Sequence, residues 1–140
     1  MGAHNMRYTP NEAELSFIRK TYEHCSAFLT VCGGFQAPLM AGVYQGKTAT
    51  APREMLEQLR STTTGIEWVE ERWHRDGKLW TSGILLNGLS LMRAFAEIIW
   101  GGEGTLAERM LLLGDWPKRD VNYADALHTP ESIKTPVKVT

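Results

Sequence analysis

A short apolar run, Ser26-Ala27-Phe28-Leu29-Thr30-Val31, ends at Cys32 and is broken at once by Gly33-Gly34. Helix-forming residues from about Phe35 to Ala41 follow directly, with Pro38 in the first turn and Gly42 as a C-terminal stop. A buried strand that turns through glycines straight into a helix is a β–α unit, and it commits the chain to the α/β class.

The remaining segments repeat that alternation. Thr9-Pro10-Asn11-Glu12 predicts a helix start, with Thr9 as N-cap, Pro10 at N1 and Glu12 at N3. Leu15, Phe17, Ile18 and Tyr22 supply its apolar face. Lys47-Thr48-Ala49-Thr50 reads as a brief strand, and Pro52 to Leu59 as a helix. Glu67 to Trp73 alternates in polarity and predicts one half-exposed strand. Arg75-Asp76-Gly77-Lys78 is a hairpin turn signal, with Leu79-Trp80-Thr81-Ser82 as the return strand. The longest helix is expected from about Asn87 to Trp100, ended by Gly101-Gly102. A last one runs from Leu106 to Leu113, stopped by Gly114.

These elements predict a mainly parallel sheet with one β-hairpin insertion. The 140 residues suit one domain, expected over residues 1–126, with residues 127–140 as a flexible tail punctuated by Pro130 and Pro136. Residues 1–8 read as a loop or frayed end. Only three or four strands can be counted, whereas an average sheet has about five or six. An inner strand is therefore expected to be missing at the N-terminus. The exposed sheet edge this leaves predicts a homodimer, a higher oligomer, or a strand supplied by another chain.

Composition narrows the function classes. Fifteen Lys and Arg against sixteen Asp and Glu give a formal charge of -1, which provides no field to hold a polyanion, so nucleic acid is not expected as a partner. No apolar run reaches the roughly 18 residues of a membrane span, and the first seven residues lack the apolar stretch of a signal peptide. Two cysteines, seven apart, fit neither a redox pair nor a common zinc spacing. The expectation is a soluble, cytoplasmic protein with free thiols.

Of those thiols, Cys25 reads as a small buried hydrophobe. Cys32 reads differently. A nucleophile on a sharp turn between strand and helix projects above the sheet, and glycines follow because the turn needs unusual backbone angles. The helix start behind it brings unpaired N–H groups and partial positive charge beside the sulfur, which favours thiolate and can hold an oxyanion.

Ala27-Phe28-Leu29-Thr30-Val31-Cys32-Gly33-Gly34, followed by Leu39-Met40-Ala41-Gly42-Val43-Tyr44-Gln45-Gly46-Lys47-Thr48-Ala49-Thr50, resembles the elbow, helix and next strand of the ThiJ/PfpI family. That family belongs to the class I glutamine-amidotransferase-like superfamily. Trp68-Val69-Glu70 and Arg75-Asp76-Gly77-Lys78-Leu79-Trp80-Thr81-Ser82-Gly83 resemble its later strand and hairpin, and Leu85-Leu86-Asn87-Gly88 is similar to fungal-type members. The resemblance covers roughly residues 9–116. It implies a flavodoxin-like three-layer sandwich, N-terminally truncated because members begin with a β–α–β segment. It further implies Cys32 as nucleophile, with the backbone N–H groups of Gly33 and Gly34 as oxyanion hole.

Two departures follow from the same resemblance. The N-terminal segment carries the acidic partner of the family's cysteine, and Met1-Gly2-Ala3-His4-Asn5 stands where the loop after its strand would be. Many members also carry a histidine in an alanine–threonine–threonine–histidine run. Here the run is Ala49-Thr50-Ala51-Pro52, and proline cannot act as a base. The activity implied is that of a cysteine-centred hydrolase, hydratase or lyase acting on a small electrophile. Isocyanide hydratase chemistry is favoured because it manages without that histidine. The alternative is a non-catalytic or truncated member serving as a redox sensor or interaction protein.

The other polar residues carry less. His4, His24, His74 and His128 share no helical face, so no metal site is expected, and no cofactor is implied. Glu70-Glu71 reads as a solvated strand edge and Asp76 as a turn residue. Gly101-Gly102-Glu103-Gly104 lacks the lysine and preceding strand of a phosphate loop. Trp68, Trp73 and Trp80 read as core or subunit contacts rather than base-stacking platforms.

Overall fold

The computed structural model describes the backbone of residues 2–3 and the whole of residues 8–129. The main sheet has four strands. Helix α1 (Glu12–His24) leads into β2 (Phe28–Cys32), which runs parallel to β1 (Gly2–Ala3) on one side and to β6 (Leu79–Ser82) on the other. Strand β5 (Trp73–Asp76) closes the order β1-β2-β6-β5 as the antiparallel partner of β6. Two short strands, β3 (Thr48–Ala49) and β4 (Glu67–Trp68), form a separate parallel pair. The mainly parallel α/β architecture and the inserted hairpin are as the sequence predicts.

Successive side chains of β2 face opposite layers. Phe28 meets Tyr22 of α1 edge-on at 5.5 Å, and the buried Thr30 hydroxyl hydrogen-bonds Tyr44 Oη at 2.8 Å. On the other face Val31 lies against Gly88 of α4 (Asn87–Trp100). A Cβ at Gly88 would stand 2.8 Å from Val31 Cγ1, so glycine there lets the helix approach the strand. The main core fills the first face. Ile18, Phe28, Phe35, Tyr44, Leu56 and Trp68 are all buried in it, with α3 (Arg53–Thr62) alongside β4. On the second face Trp80 meets Phe95 of α4 edge-on, and α5 (Leu106–Leu113) packs on α4.

Asp76 turns out to tie the two sheets together rather than only to serve the turn. Its carboxylate accepts from the Thr48 backbone N–H at 2.9 Å and from Lys47 Nζ at 3.2 Å. The hairpin itself turns on Gly77, whose φ of 59° fits the first central position of a two-residue loop.

Three expectations are corrected. Residues 2–3, read as loop, form β1, and the described residues contain six strands, not three or four. Helix α1 is capped by Asn11, not Thr9: Asn11 Oδ1 accepts from Glu14 N, and Glu14 Oε2 accepts from Asn11 N. This reciprocal box competes directly with the identically spaced Thr9/Glu12 pair. Glu67 to Trp73 is not one strand. It breaks at residues 69–72, where Arg72 N donates to Val121 O instead of to a sheet partner. The elbow glycines lie between strand and helix as expected, within a 3-10 turn, Gly33–Phe35, that continues into α2 (Gln36–Met40). Of the expected tail, residues 130–140 lie outside the described residues. His128 O accepts from Arg53 Nη1 at 3.1 Å.

Candidate active site

The residue between β2 and the 3-10 turn is Cys32, with φ 53° and ψ -136°. Positive φ is uncommon for a residue with a side chain, and this ψ lies outside the small left-handed basin near +30 to +60°. Such a conformation costs on the order of 1–3 kcal/mol and persists only where its surroundings impose it. Here they are visible. Cys32 N donates to Gly83 O at 3.2 Å, and Gly33, Gly34 and Phe35 are buried immediately behind it. Cys32 itself is half-buried and free of any disulfide. The helical stretch from Gly33 to Met40 presents its first N–H groups, which have no intrahelical acceptor, at this turn. Cys25, by contrast, follows α1 at the opposite end of β2, and its Sγ lies 3.6 Å from Tyr22 O.

Gly83, the residue after β6, is the hub beside the elbow. A Cβ there would stand 2.8 Å from Asn87 Nδ2, 3.1 Å from Tyr123 Oη and 3.5 Å from Ala51 O. The Ala51-Pro52 step therefore borders the same spot. Both residues are buried, and Pro52 starts α3 without a side-chain cap.

A polar cluster unforeseen in the sequence borders Gly83. Arg72 is 6% exposed and donates from all three nitrogens: to Asp120 O at 2.7 Å, to Asn87 Oδ1 at 3.3 Å and to Asp125 Oδ1 at 2.5 Å. Asn87 Nδ2 donates onward to Tyr123 Oη at 2.9 Å. The Tyr123 ring is flanked by two guanidinium groups, Arg53 at 4.3 Å and Arg72 at 4.6 Å from its centroid. Burial pushes the Tyr123 hydroxyl's pKa up, against the pull of both arginines. The hydrogen bond from Arg72 holds the Asp125 carboxyl below its ordinary range. Arg53 also pairs with Glu70, and Glu71 with His74, so this acidic pair is engaged rather than merely solvated.

The cluster was missed because each member is locally ordinary. The partners of Arg72 lie 15 to 53 residues away. Its burial alone marks it, since arginine is almost never fully buried unpaired. Among the described residues no group of histidine, cysteine or carboxylate side chains is arranged to hold a metal ion. Nor is any described helix long and apolar enough to cross a membrane.

A strained cysteine at the carboxyl end of a parallel strand, followed at once by a helix, places the chain among flavodoxin-like α/β proteins with a strand-to-helix elbow. The chain belongs to the DJ-1/PfpI family, whose profile matches residues 2–98. Solved structures agree on the fold. A ThiJ/PfpI family protein from Pseudomonas syringae superposes with a TM-score of 0.64 at 20% identity, covering 81% of this chain and 46% of that one. Drosophila melanogaster DJ-1beta gives 0.61 at 19% identity, covering 74% and 54%. A two-domain protein from Anabaena variabilis with DJ-1/ThiJ/PfpI-like and ferritin-like domains gives 0.54 at 21% identity, covering 66% and 27%. The chain thus spans about half or less of the length of each. No match was found among curated proteins.

Proposed function

We propose that the chain is a cysteine-centred enzyme acting on a small electrophile, with Cys32 as nucleophile and the N–H groups of Gly33 and Gly34 stabilising developing negative charge. The observation that carries this reading is the positive φ of Cys32. Nothing in the packing of an ordinary core cysteine requires a strained turn, whereas presenting a nucleophile above a strand end does. The favoured chemistry is hydration of an isocyanide. Sulfur adds to the terminal carbon as the thiol proton passes to the substrate, then water adds and the C–S bond breaks. The net change is one water taken up and a formamide released, with the thiol regenerated. The acid/base would come from solvent or from a group outside this chain, since Pro52 fills the histidine position.

The test is conversion of a simple alkyl isocyanide to its formamide, followed by NMR, in the wild-type chain and in Cys32→Ala. Turnover that survives the substitution, or is absent from both, counts against the enzyme. A second reading, a redox-sensing or interaction protein, is supported by that same proline. It predicts added oxygen on Cys32 under mild peroxide without any turnover. Under either reading we propose a homodimer or higher oligomer in the cytoplasm.

A further inference from the structure

Residues 119–126 form a strap tied from both sides: Arg72 and Asn87 side chains reach up to Asp120 O, Asp125 and Tyr123, Arg72 N donates to Val121 O, and Arg119 reaches down to Ser90 Oγ and Leu86 O. Inside it, Ala124 N donates to Asp120 Oδ1 at 2.9 Å and Ala126 N to Tyr123 O at 2.9 Å, so the strap carries its own turns. Tyr123 sits at φ 61°. Beside residues 117–121 lies a cleft of about 500 Å³ against α4, lined in part by Trp73, Ser90 and Ala94 and bridged by the Arg119–Ser90 hydrogen bonds.

The charge pairing across this junction is lopsided. The Arg72 side chain is 8% exposed and that of Asp125 is 43% exposed. A buried guanidinium needs an anion, and its planar fork suits a carboxylate. Its present anion is an exposed carboxylate on a surface strap that lies beyond the family-matched residues 2–98. The fork is linked to the elbow through a short chain: Arg72 bonds Asn87, Asn87 bonds Tyr123, and Asn87 and Tyr123 flank Gly83, whose carbonyl holds Cys32 N.

We propose that Asp125 is an internal stand-in for the carboxylate of a small organic acid, and that the Arg72–Asn87 pair is the subsite that would bind such an acid beside Cys32 once the strap lifts. This inference rests on the nucleophile reading of Cys32 and gives the substrate a second feature, an anionic end opposite its electrophilic carbon. Binding and strap opening are linked: a carboxylate that takes the Arg72 fork displaces Asp125, and an anchored strap keeps the subsite closed.

The experiment compares two alkylating probes of similar shape, iodoacetate and iodoacetamide. Each forms a C–S bond with loss of iodide, and the thiol proton passes to solvent. The rate ratio of the charged to the neutral probe is measured at Cys32 by mass-resolved peptide mapping, with Cys25 in the same molecule as control. Asp125→Asn keeps the side-chain shape and frees the fork. The ratio at Cys32 should rise by about tenfold while that at Cys25 does not, and sodium acetate should suppress the rise more than sodium chloride at equal ionic strength. In the wild-type chain, acetate should speed amide exchange in residues 119–126, an arm that stands even if the variant fails to fold. An unchanged ratio in a folded Asp125→Asn, an equal rise at Cys25, or exchange indifferent to acetate overturns the carboxylate subsite and leaves the nucleophile intact. A Cys32 that reacts with neither probe removes the nucleophile reading itself.

Discussion

The backbone N–H of Cys32 donates to the carbonyl of Gly83 at 3.2 Å, so the strained residue ending β2 and the glycine after β6 are locked side by side. Because the lock holds Cys32 at φ 53°, the site stores strain that a residue without a side chain would not. Cys32→Gly should raise stability to denaturant by about 1 kcal/mol, offsetting glycine's greater unfolded-state entropy, while removing any thiol chemistry. Urea unfolding of the two chains checks this. A variant less stable than the wild type would show that the turn is not strained.

Gly88 sets the distance between α4 and the end of β2. An added methyl would meet Val31 Cγ1 at 2.8 Å, next to the elbow. Gly88→Ala should cost about 1–3 kcal/mol, the usual range for overpacking, and should slow Cys32 alkylation through the shift of Val31. Unfolding and labelling of the same preparation measure both.

Asp76 makes stability fall in acid. Its carboxyl is held below the ordinary range, first by the Thr48 N–H and then by Lys47. A folded value below the unfolded one stabilises fully above the unfolded pKa of about 4, and the gain is lost as pH falls through the folded value. Asp76→Asn should therefore cost about 1 kcal/mol at neutral pH and flatten the acid limb of stability below about pH 4. Denaturant midpoints at neutral pH and in acid check it; an acid limb as steep as the wild type's would contradict it.

Self-association is the expected outcome of the surface that α4 and α5 leave uncovered. Leu106, Leu112 and Leu113 are each about 70% exposed, and Met92, Ile99 and Met110 are exposed beside them on the same two helices. A monomer rarely leaves so large an apolar face in water. Sedimentation at low micromolar concentration should show a dimer or larger species. A single monomeric boundary would contradict it.

What could be read along the chain was whatever is decided locally. Helices α4 and α5 fall where the sequence places them, because Gly101 and Gly114 end apolar periodicity within one turn. The elbow was legible for the same reason: Cys32, Gly33 and Gly34 are contiguous. Strand β1 was not, since Gly2-Ala3 has no strand preference and exists through pairing with Val31 and Cys32. The Arg72 cluster was invisible because its bonds join the hairpin, α4 and the strap, three segments with no common local pattern.

If the elbow presents Cys32 as a nucleophile, Cys25, just before the far end of β2, should be the slower thiol. Mass-resolved iodoacetamide labelling of the native chain tests it most directly. Cys32 should be modified first, with Cys25 following only slowly or after unfolding. Labelling of Cys25 first, or of neither cysteine, would contradict the account.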